Sequence, residues 1–248
     1  MRRIRGLRHR AGLLLADVRG ATGDLRYYPT DQWYDELLAL KGFMRRAFQL
    51  LAYNDVRGDY AEFGSCGART FTLAWGASRL VGHPARLWAF DSFQGLPEPA
   101  GDRDAHPGWG VGAMAMSETD FVAACTANGV PRGEINTVAG FYADTLTSSA
   151  EGSRPEQIAF AYVDCDLYSS AVEVLRFLEP RLQHGMVIAF DDYYCFGPSS
   201  PSGERLASGE LFARQSEWRL VPYIQWGWYG MSFVVERRDA LPVDAIAW

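Results

Sequence analysis

Two apolar runs that each end in carboxylates constrain the fold of this chain more than any other feature. Residues 158–163 are followed by Asp164-Cys165-Asp166, and residues 186–190 are followed by Asp191-Asp192. The helix-length segment 169–178 lies between them, so the pattern predicts a strand, a helix and a second strand. Both acid clusters then lie at the same end of one sheet. In an open parallel sheet, this carboxyl end is where ligands bind.

Three carboxylates are expected to converge at that end: Asp164, Asp191 and Asp192. Carboxylate oxygens are the ligands preferred by hard divalent cations such as magnesium. The stretch therefore predicts a magnesium site that leaves open positions for a substrate.

Length and charge limit the class of protein. A chain of 248 residues fits one α/β domain. Its net charge of -6 argues against a nucleic-acid partner, and no apolar run approaches the roughly 18 residues of a membrane span. The four cysteines lack metal or disulfide spacing, which favours free thiols and a cytoplasmic location. Residues 1–57 are predicted to form a basic arm and helices packed on the core. Those helices leave a homo-oligomer possible.

A strand, glycine turn and helix are predicted over residues 58–80. Gly64 and Gly67 allow a tight turn and a close approach to a ligand, and the helix that follows offers free N–H groups. This signal alone is weak, because such a turn is as often structural as cofactor-binding. Glu62, a carboxylate at the turn, strengthens it because it can face a cationic ligand.

The next predicted strand, residues 86–90, ends at Asp91. Nucleotide-binding α/β folds keep an acid at this position for the ribose hydroxyls. The alternative is a turn or N-cap aspartate before Ser92. Taken with the glycine turn, Asp91 favours a nucleoside.

A long loop, residues 92–116, is expected to form a lid over the site. His106, within it, is either an acid/base residue or exposed surface, and the second is the more common case. After the predicted strand 134–139, Phe141 and Tyr142 either stack on a purine ring or pack under the next helix.

The C-terminal part of the chain predicts an antiparallel hairpin, with strands at 218–224 and 231–236. Three aromatic residues in or beside its turn either line a sugar or polyketide site or pack at the sheet edge. They are Trp226, Trp228 and Tyr229.

Taken together, these residues resemble the macrocin-type O-methyltransferases over about 58–235. The motifs that carry the resemblance are Glu62-Phe63-Gly64-Ser65-Cys66-Gly67, Asp91-Ser92-Phe93-Gln94-Gly95-Leu96-Pro97, Gly140-Phe141-Tyr142-Ala143-Asp144-Thr145-Leu146, Asp164-Cys165-Asp166-Leu167-Tyr168-Ser169-Ser170 and Asp191-Asp192-Tyr193.

The resemblance implies a Rossmann-like class I methyltransferase fold over residues 58–248, with a mostly parallel seven-stranded sheet and helices on both faces. It implies S-adenosylmethionine as methyl donor, Mg²⁺ as metal and a small-molecule hydroxyl acceptor, such as a sugar or glycosylated metabolite. Asp164, Asp191 and Asp192 would bind the metal, with Asp164 also the general base. Asp166 would be structural, capping the helix at Ser169. The implied cofactor residues are Glu62, Gly64, Ser65, Gly67, Thr70, Asp91, Ser92, Phe141 and Tyr142.

Two positions depart from related enzymes. Leu167 stands where catechol O-methyltransferases have a lysine, which removes a lysine base and makes catechol chemistry less expected. Cys165 stands where the family often has glycine.

Two other functions remain open. Asp164-x-Asp166 is also a metal motif of nucleotide-sugar glycosyltransferases, although that function leaves Asp191, Asp192 and the glycine turn without roles. A catalytically inactive methyltransferase fold that binds a ligand is the second alternative. The complete acid set argues against it, since unpaired buried carboxylates are costly without a metal.

Overall fold

A computed structural model of the chain describes residues 29–146, 154–197 and 200–240. The basic arm at residues 1–28 lies outside the described residues. Seven strands form one sheet in the order β3-β2-β1-β4-β5-β7-β6. The strands are β1 Asp59–Phe63, β2 Leu87–Asp91, β3 Ile135–Ala139, β4 Ile158–Val163, β5 Val187–Phe190, β6 Trp218–Trp226 and β7 Gly230–Arg237.

Helices connect the parallel strands and cover both faces of the sheet, which confirms the predicted fold class. They are α1 Pro29–Tyr53, α2 Arg69–Val81, α3 Glu118–Ala127, α4 Tyr142–Thr145, α5 Tyr168–Leu178 and α6 Gly203–Arg214. In the described part of the chain, no helix is both long enough and apolar enough to cross a bilayer.

The pairing register aligns the carboxyl ends of four parallel strands, β2, β1, β4 and β5. Phe63 of β1 pairs with Phe90 of β2 and with Val163 of β4, and Val163 pairs with Phe190 of β5. The residues after these partners therefore lie side by side along one edge. The predicted strand, helix and second strand are β4, α5 and β5.

The C-terminal hairpin closes the sheet on one side, as the sequence predicts. β7 pairs antiparallel with both β5 and β6, so β6 is the edge strand. Gly227 has a φ of +55° in the turn between them, a conformation that glycine adopts at little cost.

The N-terminal helix is part of the main core. α1 is one continuous helix whose buried side chains, among them Phe43 and Phe48, pack on one face of the sheet. Phe43 stacks on Trp226 of β6 with ring centroids 4.1 Å apart. The opposite face is covered mainly by α5 and α6. The sheet is therefore buried on both sides, which explains its near-continuous apolar strands.

Candidate active site

Four residues stand in a row at the carboxyl edge of the sheet: Gly64, Asp91, Asp164 and Asp191. Backbone hydrogen bonds fix the row, because Gly64 N donates to Phe90 O (2.9 Å), Asp164 N to Phe63 O (2.8 Å) and Asp191 N to Val163 O (2.9 Å). The glycine turn and the two acid clusters thus meet at one place. A cavity of about 620 Å³ opens over this row.

Gly64 lets the two turns approach closely. Its φ is +94°, and a Cβ at this position would lie 1.7 Å from the carbonyl oxygen of Asp164. Only glycine fits such a contact. Because Gly64 has no side chain, the glycine turn can lie directly against the turn that carries Asp164.

Most of the predicted cofactor residues line the cavity. The lining ones are Gly64, Ser65, Asp91, Ser92, Phe141 and Tyr142. Glu62, Gly67 and Thr70 lie behind or beside this wall and are absent from the lining. Tyr142 is also packed against the core, with its hydroxyl 3.3 Å from Phe90 O as donor. Packing against the core is therefore observed for Tyr142, and its stacking on a purine ring stays a prediction.

Asp91 holds the glycine turn and the following loop together. Its Oδ2 accepts from Ser65 N (2.7 Å) and its Oδ1 accepts from Phe93 N (2.7 Å). Burial raises the pKa of Asp91, and the two backbone donors oppose that shift. Each carboxylate oxygen can accept a further hydrogen bond, and Asp91 lines the cavity. Asp91 thus has the turn role and can also accept bonds from ribose hydroxyls.

Glu62 is a fully buried carboxylate under the glycine turn. Its Oε2 accepts a 2.5 Å hydrogen bond from Tyr60, whereas Oε1 has no well-aligned partner among the described residues. Burial raises the pKa of Glu62 to about 8, and the hydrogen bond from the Tyr60 hydroxyl opposes this shift. The Ser65 hydroxyl is likewise buried without a well-aligned partner among the described residues. These orphaned polar atoms fit the cationic amino-acid end of S-adenosylmethionine.

Three carboxylates form a compact group: oxygens of Asp164, Asp166 and Asp192 all lie within 4.8 Å of one another. Burial, followed by the neighbouring acids, raises the pKa of Asp164 well above its ordinary value. Burial and Asp192 raise the pKa of Asp166 to about 9. A divalent cation would relieve this repulsion, and an all-oxygen donor set suits magnesium. The residues present therefore fit the metal that the sequence predicts.

Asp191 is oriented differently from the other two predicted metal ligands. Its Oδ1 accepts a short hydrogen bond from the Tyr162 hydroxyl and another from Trp226 Nε1 at 3.3 Å. Burial and Asp192 raise its pKa to about 6, and the two donors limit the shift. Oδ2 is the oxygen that can face a cation. The assignment of Asp191 as a ligand stays a prediction, and Asp166 joins the site as a carboxylate that sequence reasoning treated as structural.

Glu204 is a site residue that the sequence did not single out. It projects from α6, is fully buried, and accepts from Cys165 N and from Asp192 N, each at 3.0 Å. One carboxylate thus joins the turn after β4 to the turn after β5. Glu204 follows Ser202 and Gly203 at the start of a helix, a pattern that indicates only a helix N-terminus.

The loop after β2 is held over the cavity by hydrogen bonds of two residues in the middle of the loop, Arg103 and Asp104. Asp104 is buried and accepts from Ser169 N (2.9 Å) and Ser169 Oγ (2.8 Å), at the start of α5. The prediction that Asp166 caps this helix is therefore wrong, because the cap comes from the loop. Arg103 adds hydrogen bonds to Tyr168 (2.7 Å) and Glu210 (2.9 Å). Leu96, Pro97 and Met114 of the loop line the cavity.

The remaining aromatic candidates have separate positions. Trp226 is buried in the core, whereas Trp228 is 62% exposed and lines a second cavity with His106. Gly108 N donates to His106 Nδ1 at 3.1 Å. His106 is absent from the lining of the first cavity, and this position disfavours it as the general base.

The chain matches one known protein family over more than half of its length. The family model described as Macrocin-O-methyltransferase (TylF) matches residues 41–202, more than half of the chain. This chain belongs to that family. The resemblance carried by the sequence motifs is thereby confirmed. The match begins within α1 and extends just beyond the second acid cluster.

Two curated relatives of this chain come from Streptomyces. The 8-demethyl-8-(2,3-dimethoxy-alpha-L-rhamnosyl)-tetracenomycin-C 4'-O-methyltransferase of Streptomyces olivaceus is 30% identical over 146 residues, covering 56% of this chain and 54% of the relative. The demethyldecarbamoylnovobiocin O-methyltransferase of Streptomyces niveus is 28% identical over 167 residues, covering 62% and 60%. The chain thus matches less than two thirds of either relative's length.

Solved structures of O-methyltransferases share the fold. The O-methyltransferase NovP superposes with a TM-score of 0.65 at 22% identity, covering 80% of both chains. The calicheamicin methyltransferase CalS11 superposes with a TM-score of 0.58 at 22% identity, covering 78% of this chain and 77% of that one. At this identity the likeness concerns the architecture alone.

Proposed function

We propose that this protein transfers a methyl group from S-adenosylmethionine to a sugar hydroxyl of a natural product, with a divalent cation at its acid cluster. The observation that carries the proposal is the row of Gly64, Asp91, Asp164 and Asp191 along one sheet edge. In this row, Gly64 and Asp91, which would bind the nucleoside part of the donor, lie beside the carboxylate cluster. Family membership supports the same reaction class.

The donor would lie over the first two strands. Asp91 would accept hydrogen bonds from the ribose, and Ser65 with Glu62 would provide the polar surroundings of the amino-acid end. Phe141 and Tyr142 line the same cavity, where an aromatic face can stack on a purine. S-adenosylmethionine supplies an electrophilic methyl group on a sulfonium sulfur.

The cation would lie over the fourth and fifth strands. Asp164 and Asp192 belong both to the predicted ligand set and to the observed group of oxygens. The third carboxylate is either Asp191, through Oδ2, or Asp166. A bound magnesium ion would lower the pKa of a nearby acceptor hydroxyl.

The chain's own task is to position the acceptor and to take its proton. In the proposed transfer, the acceptor oxygen would bond to the methyl carbon, and the electron pair of the broken carbon–sulfur bond would return to sulfur, so that S-adenosylhomocysteine would be the product. The hydroxyl proton would pass to a carboxylate of this chain. Asp164 is the base predicted from the sequence, and Asp166 is a second candidate because its carboxyl group lines the same cavity.

The relatives support the acceptor class. One acts on a rhamnosyl tetracenomycin and another on demethyldecarbamoylnovobiocin, according to their names. We infer that this chain likewise methylates a sugar hydroxyl of a natural product. The glycosyltransferase alternative is disfavoured, since it gives no role to the glycine turn beside Asp164 or to Glu62 beneath it.

Calorimetric titration tests the donor. S-adenosylmethionine is expected to bind, and uridine diphosphate glucose is expected not to bind. Asp91→Ala should weaken donor binding roughly 10- to 100-fold, because hydrogen bonds to a charged group contribute about 1.5–3 kcal/mol. Asp35→Ala, which changes an exposed aspartate on α1, is the control. Binding of the nucleotide sugar alone would refute the methyltransferase proposal.

A further inference from the structure

Trp226 has no role in the proposed methyl transfer, although it lies beside the acid cluster. Its sequence position suggests either a wall of the acceptor site or packing at the sheet edge. The indole ring is absent from the lining of both cavities at the acid cluster, so it is not such a wall. Its Nε1–H instead donates to Oδ1 of Asp191 at 3.3 Å. This hydrogen bond joins the C-terminal hairpin to the acid cluster.

The hydroxyl of Tyr162, in β4, donates to the same oxygen of Asp191. Tyr162 is fully buried, so this hydrogen bond is shielded from water. A carboxylate oxygen has two lone-pair directions, and the two donors occupy both of those on Oδ1. Only Oδ2 then remains for a cation at the first cavity, which Asp191 lines.

The alternation of side chains along the strands explains why these three residues meet. Phe190, the last residue of β5, packs on the face of the sheet that α5 and α6 cover. The next side chain, that of Asp191, is therefore directed toward the opposite face. Tyr162 and Trp226 both belong to the core on that face, which α1 covers. Asp191 thus meets two donors that belong to the core of the domain.

Two neighbours restrict the position of the Trp226 ring. Phe43 of α1 stacks on it with ring centroids 4.1 Å apart and an interplanar angle of 8°. Gly230 is the β7 partner of Trp226, and a Cβ at Gly230 would lie 2.2 Å from the indole ring. The indole therefore has little freedom to turn its N–H away from Asp191. Through this ring, α1 supports the acid cluster although none of its residues lines either of those two cavities.

We propose that Tyr162 and Trp226 are positioning residues, which together saturate Oδ1 of Asp191 and leave Oδ2 for the cation. This inference rests on the proposed function and deepens it. Neutral donors suit the role, because they orient the carboxylate without cancelling the charge that attracts a cation. It follows that Asp191, rather than Asp166, is the third carboxylate of the cation site.

Variants that remove one donor at a time test the assignment. Tyr162→Phe deletes only the hydroxyl, and Trp226→Phe deletes the indole N–H but keeps an aromatic ring in the core. Each should weaken calorimetrically measured Mn²⁺ binding by the full chain roughly 10-fold or more, the usual effect of losing a partner of a metal ligand. The affinity for S-adenosylhomocysteine should not change. Mn²⁺ affinity equal to that of the unmodified protein in Tyr162→Phe, the milder substitution, overturns the proposal.

The chain offers a matched control for each substitution. Trp75→Phe removes an indole N–H that donates to Glu134 Oε2 at 2.9 Å, and Tyr223→Phe removes a hydroxyl that donates to Arg46 O at 3.3 Å. Neither control residue lines the cavities at the acid cluster. Both controls should bind Mn²⁺ like the unmodified protein. A loss in the controls as large as in Tyr162→Phe and Trp226→Phe overturns the proposal.

A spectroscopic measurement separates positioning from a loss of stability. The electron paramagnetic resonance spectrum of bound Mn²⁺ reports the arrangement of ligands around the ion. At saturating Mn²⁺, the spectra of Tyr162→Phe and Trp226→Phe should differ from that of the unmodified protein, and the spectra of the two controls should match it. A lower Tm with unchanged Mn²⁺ affinity and an unchanged spectrum would show a purely structural role and overturn the proposal.

The same titrations separate the two levels of inference. If either S-adenosylhomocysteine or Mn²⁺ fails to bind the unmodified protein, the proposed function fails, and the positioning assignment fails with it. If both bind, and Tyr162→Phe and Trp226→Phe bind Mn²⁺ as tightly as the unmodified protein, only the positioning assignment fails.

Discussion

The carboxylate of Glu204 accepts a hydrogen bond from the backbone N–H of Asp192 at 3.0 Å. Glu204 lies in the first turn of α6, which begins 11 residues after Asp192. The other oxygen of Glu204 accepts from Cys165 N, also at 3.0 Å. A single buried carboxylate therefore sets the separation of the two acid-bearing turns. It does so without lining either cavity.

Glu204→Gln is expected to weaken cation binding roughly 10- to 100-fold, as is typical for groups that orient metal ligands. The amide nitrogen of glutamine cannot accept, so one of the two turns loses its partner. Titration with Mn²⁺ measures the effect. Glu210→Gln changes the same residue type on α6, where it contacts the loop at Arg103, and should leave the Mn²⁺ affinity near that of the unmodified protein. Equal affinities for the two variants would refute the positioning role.

Substitutions of single acids distinguish ligand from base. Asp192→Asn should abolish both Mn²⁺ binding and turnover, while S-adenosylhomocysteine still binds. Asp191→Asn and Asp166→Asn are then compared. The true third ligand is the one whose loss weakens Mn²⁺ binding, and the other variant should retain the metal.

A base has a different signature from a ligand. If Asp166 takes the proton, Asp166→Asn should lower turnover roughly 100-fold or more with unchanged Mn²⁺ affinity, since general base catalysis typically contributes about 10²- to 10⁴-fold. Turnover close to that of the unmodified protein would leave Asp164 as the base. Activity that survives EDTA treatment would contradict the metal role altogether.

Asp104→Ala should destabilise the protein by about 0.5–2 kcal/mol, the usual cost of losing a helix N-cap. The variant removes both acceptors of Ser169 and frees the loop that covers the cavity. Thermal unfolding should show a lower Tm, and donor binding should weaken as the loop wall loosens. Asp102→Ala lies in the same turn but is exposed, so its Tm should not change. A Tm for Asp104→Ala equal to that of the control would contradict the capping role.

Glu62 predicts a pH dependence of stability. Burial raises its pKa in the folded protein to about 8, whereas the ordinary value is 4.5. The unfolded chain therefore loses this proton first, and the free energy of unfolding falls as the pH rises from about 5 to 8. The slope from this one group is at most about 1.4 kcal/mol per pH unit.

Glu62→Gln removes that titration. Urea unfolding of the ligand-free protein at pH 5.5 and pH 8 should show a smaller loss of stability in the variant than in the unmodified chain. Identical pH dependence in the two proteins would mean that Glu62 is ionised in both states. The other acids with raised pKa values, including Asp164, are present in both proteins, so their contributions to the pH dependence cancel in the comparison.

The sequence by itself determined the frame of the site. The apolar runs before Asp91, Asp164 and Asp191 are long enough for strands, and helical segments between them require parallel pairing, so these acids reach one edge whatever the details of packing. Gly64 was identifiable for the same reason, since it follows a strand and precedes a helix. The position of the predicted C-terminal hairpin agrees with the structure because periodicity and turn residues are local signals.

Only the tertiary structure decided which side chains support and surround that frame. Asp104 reaches Ser169 across 65 residues, and Glu204 reaches Cys165 across 39. The second cavity brings together His106 and Trp228, which are 122 residues apart in the sequence. Local patterns fix whether a segment is a helix or a strand, but contacts between distant segments depend on strand order and on how helices and loops pack over the sheet. Those depend on the whole core, so no short stretch of sequence encodes them.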